Sequence, residues 1–238
     1  MGRLKLMAVF AHPDDESFGI GGTLARYAAE GTEVVVASAT RGEAGIEGKQ
    51  AAEAGRIREA ELRAAAGLLG ASEVHFLDYV DGTLPDVDPG EAKAKLVALL
   101  KRLRPQVLIT FGPDGITGHP DHVVVSRWVT AAFDALTAPD GPWKLYYVAP
   151  SLATQQACGG CGGPDAPTLP VDAVGIDVGE HLVTKVRAMQ AHASQEPPYP
   201  GNPVEEAERL DCHEWFVLAH SRLPPASSQN GDLFDGLR

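Results

Sequence analysis

The sequence predicts a single α/β domain in which a mainly parallel sheet carries helices on both faces. Short runs rich in Val, Ile, Leu and Phe alternate with longer segments whose apolar residues recur every three or four positions. These are the patterns of buried strands and amphipathic helices. A chain of 238 residues can bury one large core. Because no internal repeat or linker divides the sequence, one domain is expected.

The predicted elements alternate along the chain. Strands are expected at 4–10, 33–39, 73–77, 106–111, 144–148 and 173–178. Helices are expected at 19–30, 50–70, 91–104, 120–136 and 179–193. Gly31, Gly70 and Pro105 stand where the first three helices should end. Strand–helix–strand units with right-handed crossovers then build a Rossmann-like sheet.

The last part of the sequence is less regular. Residues 154–170 are rich in glycine and proline, which predicts a mobile loop, and the proline-rich stretch 196–203 is not expected to form regular structure. We expect the folded domain to span residues 1–222 and residues 223–238 to form a loose tail.

The composition argues against several classes of function. The net charge of -12 and the pI near 5.0, without any basic stripe, argue against nucleic-acid binding. The apolar run near the N-terminus is shorter than a signal-peptide core, and no stretch approaches the roughly 18 apolar residues of a membrane span. These features predict a cytoplasmic protein with neither a membrane nor a nucleic-acid partner.

The cysteines provide no convincing site of their own. Three cysteines are too few for a disulfide framework. Cys158-x-x-Cys161 lacks the second pair of a zinc knuckle and is interpreted as part of a glycine-rich loop. Cys212 lies beside His213, but nothing near it in the sequence supplies a further orienting group, so we expect it to be a packing residue.

Two clusters of histidine and aspartate follow the first and the fourth predicted strands. The first strand leads into His12-Pro13-Asp14-Asp15-Glu16, and the loop after the fourth leads to His119-Pro120-Asp121-His122. The carboxyl ends of parallel strands meet at one edge of such a sheet, where ligands bind. We therefore expect the two clusters to converge, although they are far apart in the chain.

The residue types in these clusters predict a catalytic zinc site. Zinc binds imidazole nitrogen and carboxylate oxygen, so His12, Asp15 and His122 would supply three ligands and leave a fourth position to water. Asp14 would then act as the general base, and His119 would stabilise the oxyanion or protonate the leaving amine. Either motif alone is more often a capped turn, and Asp14 is also compatible with a position that only supports a ligand.

The two motifs together resemble those of the LmbE-like, PIG-L-type zinc N-deacetylases. Further matching positions are spread over most of the chain, among them Gly21-Gly22-Thr23-Leu24, Arg41-Gly42-Glu43, Arg58, Glu61, Asp81-Gly82, Lys185, His192 and Glu214-x-Phe216. The resemblance implies the zinc ligands His12, Asp15 and His122, with Asp14 as the base. It also implies that His119 is the oxyanion-stabilising residue.

The resemblance implies roles for residues outside the two motifs as well. Asp81 is expected to orient His119. Arg58 is the position that contacts the sugar in relatives, and Glu43 would line the same pocket. From the sequence alone, an ordinary i,i+3 helix pair also explains Arg58 and Glu61. His192 is interpreted as a structural or interface residue.

By this resemblance we expect a hydrolase that removes the acetyl group from a small-molecule N-acetylglucosaminyl conjugate. A malate conjugate of bacillithiol biosynthesis is the first expectation, with Arg58 or Arg41 pairing with the malate. An inositol conjugate of the mycothiol pathway comes next, and a chitooligosaccharide is a further alternative. Relatives commonly form homo-oligomers, and a homo-oligomer is expected here.

Two other functions fit the sequence less well. A dinucleotide-binding domain would need G-x-G-x-x-G, but Gly19-Ile20-Gly21-Gly22-Thr23-Leu24 lacks the third glycine, and the second strand ends without an acidic residue. A non-enzymatic metal-binding protein on the same fold would need a fourth protein ligand, such as a cysteine, to close the metal site.

Overall fold

The computed structural model describes residues 3–138, 140–149, 172–195, 199–224 and 231–238. Its strands are β1 (Lys5–Phe10), β2 (Glu33–Thr40), β3 (Glu73–Tyr79), β4 (Val107–Phe111), β5 (Lys144–Ala149), β6 (Val174–Asp177) and β7 (His213–Ser221). They form one seven-stranded sheet in the order β3-β2-β1-β4-β5-β7-β6. β1 to β5 pair in parallel, whereas β7 is antiparallel to β5 and β6. The predicted mainly parallel α/β sheet is confirmed.

Helices cover the sheet in two groups. They are α1 (Asp15–Ala29), α2 (Ala51–Leu68), α3 (Pro89–Leu103), α4 (Pro120–Asp134), α5 (Leu182–Ala191) and α6 (Pro203–Ala207). α1 packs against α2 and α5, and α3 packs against α4. The chain moves outward in one direction from β1 and in the other direction from β4, so right-handed crossovers place the two groups on opposite faces.

The two central strands, β1 and β4, have almost no exposed residues. Leu6 to Phe10 are all buried, and so is the whole of β4. A strand covered on both faces has no solvent side, which is why both read as continuous apolar runs in the sequence. The segments that leave β1 and β4 therefore start side by side from the buried centre of the sheet.

Helix α1 differs from its prediction in where it begins and in its continuity. It begins at Asp15 rather than near residue 19, and its backbone leaves the helical conformation at Ile20. The break frees the N–H groups of Gly22 and Thr23, which donate to the Glu214 carboxylate at 3.0 Å and 2.7 Å. Lys185 pairs with the same carboxylate at 2.7 Å. A side chain from β7 thus caps the second half of the helix.

Strand β7 and helix α6 are not among the predicted elements. In β7 the buried positions alternate, as expected for a strand, but Glu214 occupies one of them beside the apolar Phe216. A carboxylate at a position that faces the core breaks the apolar alternation on which strand prediction depends. The predicted loop at 154–170, with Cys158 and Cys161, lies outside the described residues.

Part of the segment predicted as a loose tail packs against the core. Leu233 and Phe234 are fully buried. The Tyr27 hydroxyl accepts the Leu233 N–H at 2.7 Å and donates to Asp232 at 3.0 Å. Phe234 also lies edge-on against the Tyr27 ring, with 5.4 Å between ring centroids. The expectation of a loose tail is therefore wrong for residues 231–238, where two apolar side chains and a buried tyrosine fix the backbone.

A search of the described residues for helices that could cross a bilayer finds none of sufficient length and apolar character.

The packing of the C-terminal segment can be tested with two Leu→Ala substitutions. Leu233→Ala should lower the free energy of unfolding by about 2–4 kcal/mol, because it removes a fully buried side chain. Leu68→Ala at the exposed end of α2 is the matched control and should change it by less than about 0.5 kcal/mol. Urea denaturation of both variants measures the difference. If Leu233→Ala lowered the free energy of unfolding no more than Leu68→Ala does, the packing of the C-terminal segment would not contribute to stability.

Candidate metal centre

The two histidine and aspartate clusters meet at the point where the strand order reverses. β1 and β4 are neighbours in the sheet, and their following segments lead away to opposite sides. His12 directly follows β1, and His119 precedes α4 in the connection from β4. Ligands of open α/β sheets bind at this switch point. The expected convergence of the two clusters is present.

Donor atoms of His12, Asp15 and His122 lie at spacings that suit one divalent cation. His122 Nε2 lies 3.3 Å from His12 Nδ1 and 3.4 Å from Asp15 Oδ1. His12 Nδ1 lies 3.7 Å from Asp15 Oδ2. Tetrahedral ligands at the usual zinc bond lengths of about 2.0–2.1 Å are roughly 3.3 Å apart. The residues present therefore fit a metal ion.

The ring of His122 is held so that one nitrogen faces the candidate centre. Its Nδ1 donates to the Gly115 carbonyl at 3.1 Å, which leaves the Nε2 lone pair free. The ring stacks on Phe111 with 4.0 Å between centroids. Burial lowers the pKa of His122 against the opposing effect of Asp15, which favours the neutral form that a metal requires. Gly115 has φ +70° and leaves no room for a Cβ, which would lie 2.9 Å from that of His122.

His12 is held from its other nitrogen by two carboxylates. His12 Nε2 lies 3.0 Å from Asp81 Oδ1 and 3.2 Å from Asp121 Oδ2. Burial alone would lower the pKa of His12, but the hydrogen bonds to Asp121 and Asp81 and the charge of Asp15 raise it to about 10. A histidine whose outer N–H meets a carboxylate while its other nitrogen faces a metal is a common arrangement in metalloproteins.

Asp121 is a site residue that the sequence analysis does not assign. It is 1% exposed, and the Gly82 N–H donates to its Oδ2 at 2.8 Å. Its signal in the sequence is its place inside His119-Pro120-Asp121-His122, in the first turn of a helix that reaches the site. The rule that a ligating histidine has a carboxylate behind it could have identified Asp121.

Asp81 lies at the site but does not play the part expected of it. Its Oδ1 contacts His12, and its Oδ2 accepts the Ala44 N–H at 3.2 Å. Among the described residues, no hydrogen bond joins it to His119. Instead, His119 Nδ1 accepts the Asp121 N–H at 3.2 Å and caps α4, with Pro120 at the first helical position as predicted. The helix terminus therefore orients His119, and Asp81 supports His12.

Two other groups of donor atoms come within 4.8 Å of one another in this region. One comprises His12, His119 and His122, and the other comprises His12, Asp81 and Asp121. In the first, the Nδ1 of His119 is already occupied by the helix N–H. In the second, both carboxylates bracket the Nε2 of His12. In the set with Asp15, Oδ2 accepts the His12 N–H at 2.8 Å, and Oδ1 is the oxygen that faces His122 Nε2.

Asp14 has an unusual backbone conformation. Its φ is 114° and its ψ is -34°, outside the regions that non-glycine residues normally adopt. Arg58 Nη2 donates to Asp14 Oδ2 at 2.9 Å and to the Pro13 carbonyl at 2.5 Å. Burial and the adjacent charge of Asp15 raise the pKa of Asp14 to about 7, while Arg58 opposes that shift. Strain of this kind concentrates at functional sites.

Arg58 and Glu43, the two expected sugar contacts, differ in accessibility. Arg58 is 3% exposed, and a Cβ at Gly42 or Gly45 would collide with its guanidinium. It lies 3.8 Å from Asp81. Glu43 is half-buried and accepts the backbone N–H of Arg41 and of Asp81 at 3.2 Å and 3.3 Å. In this structure the Arg58 guanidinium contacts Asp14.

Cys212 is an exposed residue and not the packing residue that we expect from the sequence. Its sulfur lies 3.2 Å from His213 Nδ1, and together with Asp211 the two form a small surface cluster of donor groups. This cluster does not share a residue with the candidate metal centre.

Sequence comparisons identify one family. The family described as PIG-L, GlcNAc-PI de-N-acetylase, matches residues 7–133. A protein of Rhodococcus opacus (strain B4), named 1D-myo-inositol 2-acetamido-2-deoxy-alpha-D-glucopyranoside deacetylase, is 33% identical over 291 aligned positions. The alignment covers 100% of this chain and 99% of that protein.

Structural comparisons find the same fold in proteins with different reactions. The N,N'-diacetylchitobiose deacetylase of Pyrococcus horikoshii has a TM-score of 0.66 and 21% identity, covering 90% of this chain and 83% of its own. A 4-carboxy-2-hydroxymuconate hydratase of Pseudomonas putida KT2440 has a TM-score of 0.68 and 20% identity, covering 95% and 99%. Likeness at this level shows the fold alone.

The family match spans more than half of the chain and includes both histidine and aspartate clusters. The chain therefore belongs to the PIG-L family of de-N-acetylases.

Proposed function

We propose that this protein is a zinc-dependent hydrolase that removes the acetyl group from an N-acetylglucosaminyl conjugate of inositol. The observation that carries the proposal is the triangle of donor atoms formed by His12, Asp15 and His122, with Asp14 beside it. Membership of the PIG-L family supplies the reaction class.

The choice of inositol as the second half of the substrate rests on the sequence relatives. The Rhodococcus protein that aligns over the whole chain is named for an inositol glycoside, and similar proteins of other genera carry the same name. This evidence favours the inositol conjugate over the malate conjugate that the sequence analysis puts first. A chitooligosaccharide substrate has only the shared fold in its favour.

His12, Asp15 and His122 would hold the metal, and their partners would keep them in place. When bound, Zn²⁺ supplies a Lewis acid that polarises the acetyl carbonyl and makes water acidic at neutral pH. Asp81 and Asp121 hold the outer N–H of His12, and the Gly115 carbonyl holds that of His122. Both imidazoles are thereby fixed in the tautomer that presents a lone pair.

Asp14 is the group that we assign as the general base. It accepts the proton of the attacking water as the new C–O bond forms, and that proton passes to the amine as the C–N bond breaks. Acetate and a free amine result. Without a cation the charge of Asp15 contributes to a pKa of about 7 for Asp14. A cation on Asp15 would remove part of this repulsion and keep Asp14 ionised and ready to accept a proton.

His119 is assigned to the developing oxyanion. Because its Nδ1 accepts the Asp121 N–H, its Nε2 carries a hydrogen, and its side chain lies on the exposed side of the cluster. An N–H fixed by a helix terminus needs no reorganisation when charge develops on the carbonyl oxygen. Glu43 is assigned to the sugar pocket because it is half-buried next to the Asp81 backbone. Arg58, the other expected sugar contact, is assigned instead to hold the Asp14 carboxylate, to which it donates a hydrogen bond.

A substrate panel tests the proposed reaction. Purified protein loaded with Zn²⁺ should release a primary amine from the N-acetylglucosaminyl inositol conjugate. Its kcat/KM should be at least about tenfold higher than for the malate conjugate or for N,N'-diacetylchitobiose, since a site that pairs substrate hydroxyls rejects analogues that lack them. Fluorescent labelling of the amine measures each rate. Absence of release from every acetylated sugar would refute the proposal.

The metal ligands can be tested without an activity assay. His122→Ala should lose the bound zinc, because one of three protein ligands is removed. His220→Ala is the matched control, since His220 is half-buried and contacts Asp134 and the Phe133 ring, outside the cluster. Mass spectrometry of metal content after dialysis should find about one zinc per chain in the control and close to none in His122→Ala. Equal zinc in both would contradict the ligand assignment.

The base assignment predicts a variant that keeps the metal and loses turnover. Asp14→Asn retains the size of the side chain but cannot accept a proton, so kcat should fall by about 10²–10⁴-fold with zinc content unchanged. Asp86→Asn, at an exposed aspartate, should match the wild type in both measurements. Near-normal kcat in Asp14→Asn would mean that another group takes the proton.

A further inference from the structure

A chain of buried polar groups joins the end of α5 to the backbone of Asp14. Glu16 is 1% exposed and His192 is fully buried, with 2.8 Å between Glu16 Oε1 and His192 Nε2. The Ser17 hydroxyl donates to the same oxygen at 2.5 Å. The other oxygen, Glu16 Oε2, accepts the Asp14 N–H at 3.0 Å. Glu16 therefore connects His192 directly to the residue that carries the proposed base.

We propose that Glu16 and His192 are positioning residues, which fix the carboxylate of Asp14 by holding its strained backbone. This inference rests on the proposed function of Asp14 as base. The sequence allows His192 to be a structural or an interface residue, and its burial excludes the second interpretation because the side chain is enclosed by the fold.

The backbone of Asp14 needs such a support. A non-glycine residue at φ 114° persists only where the surroundings define its conformation. The Asp14 carbonyl accepts the N–H of Ser17 and of Phe18 at 2.9 Å and 3.0 Å as α1 begins. Its N–H, in contrast, lies outside the helix and has the Glu16 carboxylate as its partner. Rotation of Glu16 would release the peptide that sets the direction of the Asp14 side chain.

Stability alone does not account for the pair of Glu16 and His192. Two ionisable groups buried together generally gain no more than an apolar pair of the same volume would. Here the arrangement is less favourable still, because His192 Nδ1 is buried without a hydrogen-bond partner among the described residues. A lost hydrogen bond at a buried nitrogen costs folding free energy. The geometry points to a role in orientation.

The segment after α5 is itself fixed to the walls of the site. The backbone N–H and the hydroxyl of Ser194 donate to the Glu61 carboxylate at 2.8 Å and 2.7 Å. The Gln195 amide donates to the Gly45 carbonyl at 3.2 Å, in the loop that packs on Arg58. The residues that follow His192 are thus anchored to α2 and to this loop, and this anchoring keeps His192 in position to hold Glu16.

Kinetics of three variants test the proposal. His192→Leu removes the contact to Glu16 and should lower kcat by about 10- to 100-fold, because small displacements of a reacting group have effects of this size. KM should change by less than about twofold, and zinc content should stay at one per chain, since His192 touches neither sugar nor ligand. His192→Gln keeps a donor and should recover most of the lost kcat.

Lys185→Met is the matched control for burial and charge. Lys185 belongs to another buried pair on the same helix, with Glu214, and that pair holds α1 beyond its break. This variant should unfold at a lower denaturant concentration and retain the wild-type kcat. A merely structural role for His192 would give the same pattern in His192→Leu, and that result would overturn the proposal.

The amide signal of Asp14 in a ¹H–¹⁵N spectrum provides a readout that needs no substrate. It should shift in His192→Leu and stay near its wild-type position in Lys185→Met. If His192→Leu does not fold, Glu16→Gln, which keeps an acceptor for the Asp14 N–H, and Glu16→Leu, which does not, replace it. An unshifted signal in His192→Leu, or in Glu16→Leu where that variant replaces it, contradicts the positioning role. Absence of all deacetylation with a shifted signal would refute the proposed function alone.

Discussion

Repulsion among carboxylates at the carboxyl end of β1 is the constraint on which the site depends. Asp14, Asp15, Glu16, Asp81 and Asp121 converge there. Each of the others has a partner within the fold: Arg58 for Asp14, the outer ring nitrogen of His12 for Asp81 and Asp121, and His192 for Glu16. Asp15 faces His122, which burial keeps neutral. A divalent cation between Asp15 and the two imidazoles would complete the charge balance.

The sequence was sufficient to place the clusters because they depend on strand ends. Continuous apolar runs identify β1 and β4, and parallel strands at the centre of a sheet must end side by side. The segments that carry His12, Asp15 and His122 therefore begin next to each other. The cap at His119 follows from local chemistry, since Pro120 suits the first helical position. The cap is set by neighbouring residues, and the convergence is set by the adjacent positions of β1 and β4 in the sheet.

What the sequence did not reveal depends on contacts between distant elements. The role of Asp121 behind His12 requires knowing that α4 approaches β1, and that of Asp81 requires the loop after β3. Glu214 hides the strand pattern of β7, because a carboxylate stands at a buried position. Its partner there is the broken helix α1, where it accepts the N–H of Thr23, 191 residues earlier in the chain. The buried Leu233 and Phe234 depend on the Tyr27 hydroxyl. Where a polar side chain is buried or a terminal segment is packed, the cause is a partner far away in the sequence, and sequence periodicity does not reveal such partners.

Two adjacent aspartates can hold different roles only if the backbone separates them. Asp15 lies in the first turn of α1, where its carboxylate also accepts the His12 N–H at 2.8 Å, and this fixes it toward the imidazoles. The positive φ of Asp14 directs its side chain to Arg58 instead. The same fold occurs with a hydratase, so the sheet alone does not set the reaction, and the local backbone at the end of β1 gives each aspartate its own direction.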